Sequence, residues 1–412
     1  MDTVHRCCAG LDVHKKTVAA CVRRVDEHGT RHEEVRTFAT MTGDLLALAD
    51  WMTAQGVTHV AMESTGVFWK PVFNILEGGF EVLLVNARHI KQVPGRKTDV
   101  KDCQWIAQLL QHGLLRASYV PHRPQRELRD LTRHRAQLVA EHTRVANRIH
   151  KTLEDANVKL AAVASDILGV SGRQMIRGLI RGEQDPTKLA DLARRKLRSK
   201  IPQLQEALLG HVTEHHRFML RTLMDHLEYL EGAINELSAR ITELTRPFEE
   251  QIRRLSQIPG LERRSLENIL VEIGTDMDQF PTHGHLTSWA GMCPGNRESA
   301  GKRRSGKTTP GNRWLRSALN QAAWSASHSK GSYFQAQYRR LAARRGKKRA
   351  VIAVGHTLLV VIYHMLKFER DYVELGADYL DQLDPQRVTR YLVKRLERLG
   401  YEVTLTPEKA AA

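Results

Sequence analysis

The chain is poor in cysteine, in aromatic residues and in acid. Five cysteines in 412 residues, Cys7, Cys8, Cys21, Cys103 and Cys293, form no C-x-x-C pair. That argues against a zinc ribbon and a disulfide framework, and it suits a reducing compartment. Long apolar runs are missing too. The longest, Thr357 to Tyr363, is too short to span a bilayer, and no signal peptide is recognisable. The expectation is a cytoplasmic protein with no membrane partner. Aromatic residues make up 6% of the chain. Lys and Arg number 63 against 46 Asp and Glu, a formal net charge of +17. So large an excess of one sign exceeds what solubility needs and points to nucleic acid as the partner. The length allows two or three domains with their own cores.

Because acids are scarce, their positions carry information. Residues 7–13, 17–25 and 33–40 read as strands joined by hairpin-length turns. A helix over 43–55, a strand over 58–62, a helix over 69–76 and a strand over 81–85 follow. A three-strand meander followed by alternating helix and strand predicts a mixed sheet with helices on its faces, the order of the ribonuclease H-like fold. Asp12 and Glu63 stand at the ends of two of these strands. Lys97-Thr-Asp99-Val-Lys-Asp102 opens an amphipathic run that continues through Ile106 and Leu109. The spacing puts Asp99 and Asp102 on one helix face, with Thr98 as N-cap. Four carboxylates converging on one sheet edge would make a site for a divalent metal.

The rest of the chain reads as apparatus for nucleic acid. Arg123, Arg126, Arg129, Arg133, Arg135, Arg144, Arg148 and Lys151 run along one predicted helix, which reads as a backbone-binding face. Residues 156–202 are less regular and receive no role. Leu220, Leu223, Leu227, Leu230, Ile234, Leu237, Ile241 and Leu244 form a heptad seam. That seam predicts a coiled coil, either a hairpin within the chain or a contact between chains. His211, His215 and His216 near it find no acid in the sequence pattern to complete a metal site and read as solvated. Ile258-Pro-Gly260 between two helical runs suggests a helix-hairpin-helix element that sets backbone N–H groups against phosphate. From Gly291 to Gly311 there are five glycines, two prolines and five Lys or Arg. This is a cationic loop whose backbone can approach a phosphate closely. Lys302, Arg303, Arg304, Lys307 and Arg313 are its candidate contacts, and Ser299, Ser305 and Thr308 its hydroxyls. A further basic cluster, 344–349, opens an apolar helix over 350–366. The tail reads as a helix from Pro385 to Leu399 and a strand from Tyr401 to Leu405.

Five stretches together resemble a known family. They are Gly10-Leu-Asp12-Val-His-Lys15, Met62-Glu63-Ser-Thr-Gly66, Lys97-Thr-Asp99-Val-Lys-Asp102, Ile258-Pro-Gly260 and Pro294-Gly-Asn-Arg-Glu-Ser299-Ala-Gly301. The chain resembles insertion-sequence transposases that join an N-terminal RuvC-like DEDD domain to a C-terminal transposase domain carrying a serine. These are described as bridge-RNA-guided recombinases, and pilin-gene-type invertases share the architecture. The resemblance implies an α/β RNase H-like (RuvC-like) mixed sheet over 1–120 and a helical coiled-coil region over 121–256. A mostly α, serine-containing transposase domain over 257–372 and a tail over 373–412 complete the expected organisation. It implies Mg²⁺ (or Mn²⁺) held by Asp12, Glu63, Asp99 and Asp102, and Ser299 attacking DNA to form a phosphoserine. It also implies double-stranded target and donor DNA, a noncoding guide RNA and a homo-oligomer, dimer or tetramer. An RNA-independent invertase and a metal-dependent junction-resolving nuclease stand as alternatives.

Overall fold

The computed structural model describes residues 3–64, 66–87, 90, 102–295 and 297–406, with the backbone alone at 297–299 and 303–305. Two compact units emerge, Met1–Pro121 and His122–Ala412. The first holds strands β1 (Cys7–Val13), β2 (Thr17–Val25), β3 (Arg31–Ala39), β4 (His59–Glu63) and β5 (Glu81–Val85). Helices α1 (Thr42–Ala54), α2 (Trp69–Leu76) and α3 (Asp102–Gln111) accompany them. Sheet order is β3-β2-β1-β4-β5. The first three strands are antiparallel, while β4 and β5 run parallel to β1.

Alternation along each strand decides which helix covers which face. Ala9, Leu11, Val60 and Met62 face Leu45, Leu48 and Met52 of α1 and Val72 and Leu76 of α2. Cys8, Ala61 and Val85 face Trp105, Ile106, Leu109 and Leu110 of α3. Each fully buried Leu or Met contributes about 1.5–3 kcal/mol. Thr98 and Asp99, expected to open α3, lie outside the described residues, and α3 begins at Asp102.

The second unit is mostly helical. It runs α4 (Arg123–Asp155), α5 (Leu160–Val163), α6 (Val170–Ile180), α7 (Pro186–Ala190), α8 (Ile201–Leu208) and α9 (Glu214–Leu244). Then come α10 (Glu249–Leu255), α11 (Arg263–Ile273), α12 (His283–Trp289), the hairpin β6 (Arg297–Ser299) and β7 (Lys302–Ser305), and α13 (Arg313–Ala326). Helices α14 (Tyr333–Arg345), α15 (Lys347–Lys367), α16 (Tyr379–Gln382) and α17 (Pro385–Glu397) complete it.

The heptad seam packs inside the chain. Leu220, Leu223, Leu227 and Leu230 of α9 join Val145, Ile149 and Leu153 of α4 in one core, and Ile241 joins Leu128. His142 meets Glu231 and His216 meets Asp155, so α4 and α9 run antiparallel. His216 is therefore not solvated. It is buried, its Nδ1 serves the capping box of α9 with Thr213, and its Nε2 lies 3.0 Å from Asp155. The segment 156–202, without a role in the sequence reading, supplies α5, α6 and α7, whose Leu160, Met175, Ile176, Leu179 and Leu189 close the end of this core.

Two expectations are corrected. No strand forms at 401–405, where the backbone is irregular; a lone edge segment with no partner strand has no ladder to join. The longest apolar run was also underestimated. Helix α15, with a mean hydropathy of 1.7, is long and apolar enough to cross a membrane by length and composition, because its charges gather at its ends. Half of that stretch is buried here, and Val354, Leu358, Leu359 and Ile362 pack with Leu266, Ile269, Leu315 and Leu319.

Candidate active site and basic loop

Asp12 sits one residue from the end of β1 and Glu63 ends β4. The parallel register pairs Leu11 with Met62, so Asp12 and Glu63 stand level on adjacent strands and on the same face. That is the face α3 covers. Its approach is set by Gly10: a Cβ there would lie 2.3 Å from both Cys103 O and Ala107 N. The helix backbone thus rests on the strand at Gly10, which brings the α3 N-terminus and Asp102 to the end of β1. The negative charges of Asp102 and Glu63 both reach Asp12. Burial first, then these charges, hold its carboxyl above the usual aspartate range, against the pull of His14, whose Nε2 lies 3.1 Å from Asp12 Oδ2.

Three of the four expected acids are therefore neighbours. Among the described residues, no group of three or more His, Cys, Asp or Glu is drawn together closely enough to hold a metal. Asp99, the fourth acid, lies outside the described residues. The donor set is nonetheless of the right kind, since carboxylate oxygens suit a hard divalent cation and the charges of Asp102 and Glu63 reach Asp12. The thiols nearby do not compete. Burial pushes the Cys8 thiol up to about 12 and raises that of Cys21 as well.

Within the cationic loop β6 pairs with β7 as a hairpin. Gly291 and Gly311 clasp its base, since a Cβ on Gly291 would meet Gly311 N at 2.7 Å. Above them Gly295 N donates to Lys307 O, and Pro294 bridges Thr308. Ser299 ends β6 opposite Lys302, and the two-residue turn between them is Ala300-Gly301, with φ of 50° and 72°. Positive φ at both central positions is the geometry that suits the twist of a tight hairpin. Ala300 takes that conformation without being glycine, at a cost of roughly 1–2 kcal/mol. Ser299 is thus held at a tight turn with basic residues following. Lys302 and Lys307 are exposed, and Arg313 stacks on Trp314 at 4.8 Å.

The predicted arginine face of α4 divides. Arg129 is 8% exposed, and its Nε donates to Val271 O while its guanidinium faces Glu272. Arg133 binds both oxygens of Glu272, at 2.7 and 2.8 Å. Arg135, 3% exposed, pairs with Glu267 at 2.9 Å. The expectation that Arg129 grips phosphate is overturned, because its guanidinium is consumed inside the fold, and Arg133 is largely engaged in the same way. Arg126 remains half-buried on the same helix. Glu272 also accepts from Asn312 Nδ2 at 2.6 Å, and Asn312 Oδ1 caps α13 by accepting from Trp314 N and Leu315 N. The sequence reading missed this junction, which ties α4 to the loop's last residues. The expected helix-hairpin-helix has its two helices, α10 and α11, but Gly260 in the turn packs against the backbone of Ser325 and Ala326.

Comparison with known proteins now adds to this geometry. A DEDD-type family model of IS110 elements, described as Transposase, matches residues 9–158. A second, described as Transposase IS116/IS110/IS902 family, matches residues 252–339. The first spans Asp12, Glu63 and Asp102, and the second spans the hairpin with Ser299. Both models describe transposases, an enzyme class that acts on DNA. The chain belongs to the IS110 family. It is also similar to the insertion element IS110 uncharacterized 43.6 kDa protein of Streptomyces coelicolor, 26% identical over 296 residues, covering 66% of this chain and 72% of the relative.

Proposed function

We propose that this transposase cleaves and rejoins DNA strands with two sets of groups: Asp12, Glu63, Asp99 and Asp102 on an RNase H-like (RuvC-like) sheet, and Ser299 on the hairpin. The observation that carries the reading is the coupling of Asp12 to both Asp102 and Glu63. Two further acids whose charges raise the proton affinity of Asp12 at a strand end make a concentration of negative charge that a cation would relieve. Mg²⁺ or Mn²⁺ bound there would supply Lewis-acid charge to a phosphodiester. The protein's part is to hold the carboxylates level on β1 and β4 and to bring Asp102 in on α3. His14 donates to Asp12 and orients it.

Ser299 is the nucleophile in this reading. Its Oγ forms a bond to phosphorus as the bond to one sugar oxygen breaks, and the serine proton passes to a nearby base or to water. The phosphoserine keeps the ester linkage, so the strand can be resealed without a nucleotide cofactor. Lys302, Arg303, Arg304, Lys307 and Arg313 would counter the charge that builds on phosphorus. Arg126 on α4 is kept as a backbone contact. The proposal includes a noncoding guide RNA, double-stranded target and donor DNA, and a dimer or tetramer so that several sites can act in one exchange. Sequence would then be read by base pairing, leaving the basic surface to grip backbones. An RNA-independent invertase would be favoured if no RNA copurified with the active protein. A junction nuclease would be favoured if cleaved ends carried no protein.

The test sets Ser299→Ala, Ser305→Ala and Thr308→Val side by side, scored for recombination and for a DNA-linked peptide by mass spectrometry. Loss of a single hydrogen bond would lower the rate by about fivefold. Loss of the nucleophile removes strand transfer and the adduct altogether, which is the expected outcome for Ser299→Ala alone. An adduct that persists in that variant, or maps to Ser305, overturns the assignment.

A further inference from the structure

Beneath the root of the hairpin the second unit contains a pocket of about 1220 Å³. Its rim is Gly306-Lys307-Thr308, the strand that leaves β7, with Pro294 opposite. Arg316 of α13, Arg345 at the end of α14 and Arg349 at the start of α15 stand around it. Among the described residues no aspartate or glutamate lines it. Arg316 donates to Thr308 Oγ1 at 3.2 Å. Arg345 and Arg349 are exposed and form no ion pair or hydrogen bond with a described residue. Three guanidiniums around one hollow, with no acid among its described lining residues, concentrate positive charge that an anion would relieve.

The hollow is more than an anion patch. Its floor is apolar, formed by Met292 and Ile352 with Ala353. Its wall carries Gln337, whose Nε2 donates to Thr357 Oγ1 at 2.8 Å while its Oε1 is buried without a donor. His356 lines it as well, with its pKa pulled down by burial and by His283. A flat apolar body with an N–H at its edge, joined to a phosphate, matches this lining. We infer that the pocket receives one unpaired nucleotide of the DNA substrate. Its phosphates would lie among Arg316, Arg345 and Arg349, its base would rest on Met292 and Ile352, and a small rotation of Gln337 would let Oε1 accept from the base. Every base carries an N–H on its pairing edge, and that N–H is free only when the base is unpaired. The pocket therefore selects for loss of pairing and not for base identity. Because its rim is the hairpin's own root, a nucleotide seated there would fix the strand on the hairpin that carries Ser299.

This inference rests on the reading of the chain as a DNA strand-transfer enzyme, and its test uses binding alone. Full-length protein in EDTA is titrated against three labelled duplexes: fully paired, with one unpaired nucleotide, and with an abasic residue at that position. The wild type should favour the unpaired base by about tenfold. Arg345→Ala/Arg349→Ala should weaken the unpaired and abasic duplexes and lower their salt slope by roughly 1.4–1.8, while changing the fully paired duplex least. Gln337→Met should remove the preference for the base over the abasic site while leaving the fully paired duplex unaffected. Equal affinity of the wild type for the three duplexes would overturn the pocket and leave the strand-transfer chemistry standing. Failure to bind any of them would overturn both. A Gln337→Met protein that melts like the wild type yet keeps the preference would also remove the base from the pocket.

Discussion

Two groups of acids in this molecule meet opposite company. Glu267 and Glu272, each 2% exposed at the side chain, are met by Arg135 and Arg263, and by Arg129 and Arg133. Asp12 is met by Asp102, Glu63 and a histidine. The two groups differ in burial, since the Asp12 side chain is 26% exposed, but burial says nothing of what an acid is for. The sign of the neighbouring charge does. An acid surrounded by guanidiniums is satisfied and holds elements together, whereas an acid pressed by other acids stores repulsion that something else must relieve.

The sharpest way to break this comparison is to remove one member of each group. Glu272→Ala strands Arg133 and Arg129 in the interior and unpins Asn312, and should cost the second unit about 3–5 kcal/mol, read by chemical denaturation. Asp12→Asn should do the reverse, leaving the first unit as stable or more so while abolishing strand cleavage. If Asp12→Asn instead destabilised the fold as Glu272→Ala does, the two groups would be the same kind of site. A smaller effect is expected at Gly10. Gly10→Ala places a methyl where the α3 backbone lies, and should cost about 1–3 kcal/mol of overpacking. It should also lower cleavage steeply by displacing Asp102, although no acid has been changed. Normal cleavage in a folded Gly10→Ala protein would show that the position of α3 does not set the site.

The smallest effect is a pH dependence on the cation-rich side. Burial and His283 lower the pKa of His356 below the usual histidine value. The unfolded chain therefore binds the proton more readily, so this group lowers stability as pH falls below about 6.5. His356→Gln should flatten that acid limb without changing stability above neutrality. An unchanged limb would assign it to other histidines, such as His364, which is lowered by burial and by the same neighbour.

Much of the first unit was legible because its signals are local. Alternation and short turns placed β1 and β2 to the residue, and α2 and β5 likewise. The level placement of Asp12 and Glu63 followed from strand ends alone. What could not be read depended on partners far along the chain. Arg133 and Glu272 are 139 residues apart, so nothing around Arg133 distinguishes it from a solvated arginine. His216 looked solvated for the same reason, since Asp155 lies on another helix. Gly10 was visible as part of a motif, but its packing against Cys103 and Ala107 needs the helix in place. The strand expected at 401–405 had the right residue types and no neighbour to pair with.

The antiparallel pairing of α4 with α9 has a consequence for synthesis. Val145, Ile149 and Leu153 leave the ribosome well before Leu220, Leu223 and Leu227, which cover them. At elongation rates of about 5–20 residues per second that interval is on the order of ten seconds, long compared with hydrophobic collapse. During it a long basic helix carries an uncovered apolar stripe, so the nascent chain, more than the finished protein, is the species that needs a chaperone.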